Sequence, residues 1–233
     1  MDTFEMNIIA RIRTDFSAKF GIPRQSGLVP SLRGEIVFEP DYRNPDALRG
    51  IGDFSHLWLI WQFSESVREQ WQPTVRPPRL GGNRSMGVFA TRSPFRPNPI
   101  GLSCVKLEAV EQRPGEGSVL IVSGADLMDG TPILDIKPYI PYADARPEAA
   151  GGFTDAVERK TLEVICPQGL LHQLPEEKQQ ALLDVLAQDP RPAYQNDPCR
   201  VYGLSFAGFN VRFFVENQVL TVREITPLEP ALS

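Results

Sequence analysis

Between Gly87 and Ser103 the chain reads GVFATRSPFRPNPIGLS. Arg92, Arg96 and Asn98 stand there among Pro94, Pro97 and Pro99, flanked by two runs with the composition of strands. Proline fixes φ near −65° and removes a backbone donor, so the stretch reads as a stiff loop. Guanidinium groups held on a stiff loop suit one kind of chemistry: gripping a carboxylate or phosphate in a two-pronged fork, with little left to order on binding. A rigid, solvated turn is the plain alternative for the same residues.

Two further stretches have a similar character. IPRQSG, Ile22 to Gly27, sets Pro23, Arg24 and Gln25 in a turn bracketed by proline and glycine. MDGTPILDIKPY, Met128 to Tyr139, places Asp129 and Gly130 between apolar runs, the signal of a type I′ hairpin turn that presents backbone and carboxylate groups at a sheet edge. Asp135, Lys137 and Tyr139 then alternate onto one face of a strand. Weaker signals are Ser64 and Glu65, at the end of a strand that begins near Phe54, and VRPPRLGGN, 75–83, whose Arg76 and Arg79 suit phosphate contact or plain solvation equally. His56 reads as a packed strand residue.

The net charge of −5 argues against a polyanionic partner, but its distribution does not. From Lys19 to Arg96 the cations are almost all arginine, many beside proline or glycine, while acids gather in RPEAAGGFTDAVERKTLE and LPEEKQQ. The local field is what attracts phosphate. GxxxxGK[ST] is absent, as is GxGxxG after a strand, so the two commonest phosphate cradles are excluded; GxSxG and HExxH are missing too. Cys104, Cys166 and Cys199 are too widely spaced for a CxxC knuckle or a disulfide framework, and with only His56 and His172 beside them no metal site is expected. No apolar run reaches the ~18 residues of a membrane span, and MDTFEMNIIARIRT is unlike a secretory signal, so a soluble, cytoplasmic protein is expected.

At 233 residues and 42% hydrophobic, the chain has room for one large domain or for a domain and a smaller companion. FEMNIIARIRT, GEIVFEP, FSHLWLIWQF, MGVFATR, GLSCVKLEAVEQ and SVLIVSGADL read as strands separated by glycine or proline. Many short strands with few helices favour a closed barrel or a sandwich over a parallel sheet. Asn44 and Pro45 mark an N-cap and first turn. Small residues, proline and a glycine pair in YADARPEAAGGF, 142–153, suggest a linker. Beyond it come a strand, TLEVICP, an amphipathic helix, PEEKQQALLDVLAQ, and the strands RVYGLSF, FNVRFFV and QVLTVREI, the last two joined by a turn at Glu216 and Asn217.

FGIPRQSGL, WQPTVRPPRLGGN, MGVFATRSPFRPNPIGLS, DGTPILDIKPYIPYAD, LAQDPRPAY and FNVRF together resemble the TrmO family, S-adenosylmethionine-dependent methyltransferases acting on tRNA. The resemblance spans essentially the whole chain. It implies a mainly β fold: an N-terminal antiparallel β-barrel, 1–143, that binds the methyl donor, and a smaller α+β domain, 154–233, that assists tRNA binding. It further implies a homodimer and methylation of N6 of threonylcarbamoyl-adenosine next to the anticodon, with S-adenosyl-L-methionine as cofactor. On the donor side it places Pro23, Arg24, Gln25, Ser64, Glu65, Arg92, Leu102, Asp129, Gly130, Thr131 and Pro132, although Ser64 and Glu65 depart from the amide-like or imidazole pair expected there. Arg96, Arg76, Arg79 and Lys137 are the candidates for nucleic acid. Asp135, Tyr139 and Asn98 are candidates for catalysis, with none singled out. A noncatalytic RNA-binding barrel is the alternative, separable by whether S-adenosylmethionine binds.

Overall fold

Strict alternation builds the first sheet. The computed structural model describes residues 3–67, 70–77, 84–155, 161–192 and 197–229. Its first strands are β1 (Ala10–Arg13), β2 (Arg33–Phe38), β3 (His56–Gln62), the short pair β4 (Thr74–Val75) and β5 (Met86–Gly87), then β6 (Ile100–Arg113), β7 (Gly117–Ser123) and β8 (Pro132–Pro138). In β3, Leu57, Leu59 and Trp61 turn inward while His56, Trp58, Ile60 and Gln62 turn out, the period-2 pattern of a strand with one buried face. β1, β2, β7, β6, β3 and β8 pair in that order and β8 returns to β1, all antiparallel, so the ring closes as a barrel without a free edge. Ile12, Ile36, Leu57, Leu59, Leu120, Val122 and Ile133 fill its interior.

Several local expectations change. Asn44 caps as read, its side chain accepting from the Asp46 amide at 3.0 Å, but the helix is one 3₁₀ turn, Pro45–Leu48. The expected strand MGVFATR ends at Gly87 and continues as a 3₁₀ turn, Val88–Ala90. Asp129 and Gly130 do form a tight turn, the Thr131 amide bonding to the Met128 carbonyl at 3.2 Å, but not a hairpin. Only Gly130 has positive φ, +75°, whereas type I′ needs two such residues. β7 and β8 are not partners either: Ala125 and Leu127 are buried and carry the chain across the barrel end, and β8 pairs with β1 and β3.

After the short helix α1 (Pro141–Asp144) come β9 (Glu163–Ile165), α2 (Gln168–Leu171), α3 (Glu176–Ala187), β10 (Tyr202–Phe206), β11 (Phe209–Glu216) and β12 (Val219–Pro227). The sheet order is β10-β11-β12-β9, with β9 parallel to β12. The β11–β12 turn lies one residue later than the sequence suggested, at Asn217 and Gln218, whose φ of 48° and 66° are those of a type I′ turn closed by Glu216 and Val219. α3 lays Ala181, Leu182, Val185 and Leu186 on this sheet.

That second core is not purely C-terminal. Phe16, Val29 and Leu32, from the β1–β2 connection, are buried in the same cluster as Leu182, Leu186, Phe206 and Phe213. The Phe16 ring meets Phe206 edge-on at 5.5 Å. Full burial of such side chains is worth roughly 1.5–3 kcal/mol each, so the connection is held firmly. Polar ties reinforce it: Lys178 Nζ pairs with Asp15 at 2.7 Å, and the Ala207 amide donates to the Asp15 carbonyl at 2.8 Å. No described helix is long and apolar enough to cross a membrane.

Candidate active site at the barrel rim

Four segments converge on one end of the barrel. The first is the Ile22–Gly27 loop. Gly21, at φ +91°, lets the backbone pass so close to Leu204 that an added Cβ would lie 2.1 Å from that side chain. The Gly27 amide donates to the Gly124 carbonyl at 2.8 Å, which pins the loop over the end of β7. Arg24 extends its guanidinium to the backbone carbonyls of Arg191 (3.2 Å) and Asp189 (3.5 Å), tying the loop to the C-terminal half.

The second segment, Thr91 to Ile100, is the stiff loop. The Ser93 amide donates to Thr91 Oγ1, the Phe95 amide to Ser93 Oγ, and Arg96 Nη1 to the Thr91 carbonyl at 3.1 Å. Half-buried Arg96 therefore staples the loop from within. Arg92 is exposed and donates to Gln25 Oε1, which joins the two loops. The Phe63 amide donates to the Pro99 carbonyl at 2.8 Å and anchors the loop to the end of β3.

The floor comes from β3 and β6. Trp61 sits opposite Gly101 in the β3–β6 register, and its ring packs on Phe63 at 4.2 Å. The indole N–H donates to Ser103 Oγ at 2.9 Å, and Ser103 Oγ lies 2.5 Å from Asp126 Oδ1. Ser103 is fully buried. Its one hydroxyl proton therefore points at Asp126, because the indole N–H already occupies the oxygen as an acceptor. Asp126, Met128 and Thr131 of the fourth segment close the wall. Burial pushes the Asp126 carboxyl above the usual carboxylate range; the Ser103 hydroxyl, nearby backbone amides and the Arg92 charge pull the other way without prevailing.

Together these segments enclose a cleft of about 620 Å³, within the ~300–1,000 Å³ typical of small-molecule sites. Of the residues anticipated from sequence, it gathers Pro23, Arg24, Gln25, Ser64, Glu65, Arg92, Arg96, Asn98, Leu102 and Thr131. Asp129, Gly130 and Pro132 are not among its lining residues. The Asp129 carboxylate accepts from the Thr14 amide at 3.0 Å and borders a separate hollow with Asp15 and Lys178. Asp135 and Lys137 pair with each other at 2.7 Å on β8, and Tyr139 packs against His56 and Trp58. Arg76 is exposed beyond β4, and Arg79 lies outside the described residues. Sequence reasoning missed Trp61, Ser103 and Asp126. Their signal was a serine in the inward series Gly101-Ser103-Val105, and one aspartate between the buried Ala125 and Leu127.

A family model described as the tRNA-methyltransferase O N-terminal domain matches residues 11–145, and one described as the TrmO C-terminal domain matches 159–228. The chain belongs to the TrmO family. The tRNA (adenine(37)-N6)-methyltransferase of Escherichia coli K12 is 43% identical over 248 residues, covering 99% of this chain and all of that protein. A protein of the same name from Eikenella corrodens is 49% identical over 178 residues, 76% of this chain and 99% of its own. A crystal structure of TrmO from Pseudomonas aeruginosa superposes with a TM-score of 0.78 at 34% identity, covering 97% of this chain and 99% of that one. The cleft is thus assembled inside the TrmO N-terminal match, while the Arg24 tie reaches Asp189 and Arg191 in the TrmO C-terminal match.

Proposed function

We propose that the protein is an S-adenosylmethionine-dependent methyltransferase that modifies N6 of adenine 37 of tRNA, acting on the threonylcarbamoylated base next to the anticodon. The observation that carries this reading is the full-length likeness to the E. coli tRNA (adenine(37)-N6)-methyltransferase. The cleft supports it. Trp61, Phe63 and the half-exposed Leu102 offer apolar surface for a nucleoside, Arg92 offers a cation for a carboxylate, and Asp126 offers an anion for a positive group. The residues present therefore suit S-adenosylmethionine, with Pro23, Arg24, Gln25, Ser64, Glu65 and Arg92 beside it and Thr131 in the wall.

When bound, that cofactor supplies a methyl group on a positively charged sulfur, ready for in-line displacement. The protein's share is alignment, worth up to ~7–11 kcal/mol of barrier when two reactants are held in attack geometry. The proline loop and its Arg96 staple keep the walls fixed before binding. Asn98 at the cleft, with the exposed Arg76 and with Lys137 on β8, is our candidate for the tRNA side. Residues 1–143 form the catalytic unit and 154–233 the accessory one. A homodimer fits the exposed Phe89 and Trp71 rings, 6.2 Å apart beside the stiff loop; light scattering checks it.

The test uses two tRNAs, alike except that one carries threonylcarbamoyl at adenine 37, with labelled S-adenosylmethionine. Methyl incorporation is expected in the modified tRNA alone. Equal incorporation overturns the substrate assignment, and incorporation into neither overturns the activity.

A further inference from the structure

Two opposite charges face this cleft without meeting. Arg92 is held on one side by Gln25 Oε1, and Asp126 on another by the Ser103 hydroxyl. The guanidinium charge is felt at the carboxylate, yet among the described residues no ion pair closes between them. Each has its own neutral partner, Gln25 for Arg92 and Ser103 for Asp126. Glu65, the other carboxylate lining the cleft, is exposed on a short 3₁₀ turn, and among the described residues no side chain donates to its carboxylate. Asp126 has a directed donor, since Trp61 N–H on Ser103 Oγ forces the serine proton toward it.

Resting on the reading of the cleft as the donor site, we propose that Arg92 and Asp126 together recognise the zwitterionic amino-acid end of the donor, Arg92 taking its carboxylate and Asp126 its α-ammonium. A group bearing both charges on one carbon satisfies both residues at once, which a bare nucleoside cannot do. A partly desolvated carboxylate gains most from a cation delivered by the ligand, in keeping with the upward pull that burial exerts on Asp126. Trp61 and Ser103 are positioning residues in this scheme.

The experiment is equilibrium binding by calorimetry with three ligands: S-adenosylmethionine, S-adenosylhomocysteine, which keeps the amino-acid end but lacks the charged sulfur, and 5′-methylthioadenosine, which lacks the amino-acid end. Asp126→Asn is expected to weaken the first two alike, by about tenfold to a hundredfold, and to leave 5′-methylthioadenosine unchanged. Unchanged binding of that third ligand also shows that the variant's cleft is intact. Ser103→Ala, which removes only the hydroxyl that aims the carboxylate, is expected to show the same selectivity to a smaller degree, and it carries the test should the first variant fail to fold. A loss confined to S-adenosylmethionine overturns the proposal in favour of a carboxylate facing the sulfonium. A loss shared by all three ligands, or by none, overturns it in favour of a role in shaping the wall or on the acceptor side. A wild-type protein that binds none of the three overturns the donor-site reading itself, a result distinct from any of these.

Discussion

Replacing Gly101 by alanine builds a methyl group into the Trp61 indole. The new carbon lies 2.2 Å from Cε2, 2.4 Å from Cζ2 and 2.6 Å from Cδ2, whereas carbon atoms settle at about 3.5–4.0 Å. The ring has nowhere to retreat. It is 8% exposed, packs on Phe63, and is fixed through its N–H to Ser103. Overpacking of this kind costs about 1–3 kcal/mol, and a broken buried hydrogen bond adds about 0.5–1.5. A loss of roughly 2–4 kcal/mol translates, at about 2–4 °C per kcal/mol for a chain of this size, into a melting temperature lower by about 4–16 °C. Because Trp61 aims Ser103 and Ser103 aims Asp126, affinity for S-adenosylmethionine should fall as well. Scanning calorimetry with a donor titration measures both. Gly52→Ala, where a Cβ meets nothing within 4 Å, is the control and should melt no lower than the wild type. A Gly101→Ala protein that melts with the wild type and binds the donor equally well would refute this account of the floor.

Arg92→Ala should weaken S-adenosylmethionine binding by about tenfold to over a hundredfold while leaving the melting temperature in place, because the side chain is exposed; calorimetry shows either outcome. Arg96→Ala removes the staple on the Thr91 carbonyl, so the stabilisation conferred by saturating donor should shrink in a thermal-shift series, and an unchanged shift contradicts the staple. The raised Asp126 pKa gives a pH signature. A carboxyl whose folded-state value lies above its unfolded one stabilises below the unfolded value and loses that contribution as pH rises through the folded one. Ligand-free Asp126→Asn should therefore gain on the wild type as pH rises through that range, and the reverse trend in pH-dependent melts contradicts the burial argument. Glu35 has the opposite sign. The Arg113 hydrogen bonds hold its carboxyl below the usual range, so its contribution is present above the ordinary carboxylate value and fades as pH falls through the folded one. Glu35→Gln should flatten that acid limb only slightly, since the pair is partly exposed.

What sequence disclosed was chemistry carried by short local patterns. The proline loop from Thr91 to Pro99, the Asn44 cap and the apolar stripe of α3 each follow from residues a few positions apart, where φ restrictions and side-chain reach decide the outcome. What it concealed was pairing at a distance. Asp129-Gly130 carries a hairpin signature, but β8 is claimed by β1 and β3, and no local pattern records that competition. Asp126 looked like one more polar residue beside a turn until the fold set it against Ser103, 23 positions earlier in the chain. Arg24 was read as a ligand contact, and its bonds to carbonyls more than 160 residues away give it a structural tie as well.

The sharing of Phe16, Val29 and Leu32 with the C-terminal core bears on how this family can be recombined. A chimera that joins the barrel of one relative to the C-terminal half of another at the 145–155 connection would swap the sheet but not the plug that fills it. Residues 14–32 have to travel with α3 and β10–β12, together with the Gly21–Leu204 approach and the carbonyls that hold Arg24. The unit of exchange is therefore discontinuous in sequence. A substitution such as Leu204→Ala, wholly inside the C-terminal sheet, should register as a loosening of the Ile22–Gly27 loop at the barrel rim.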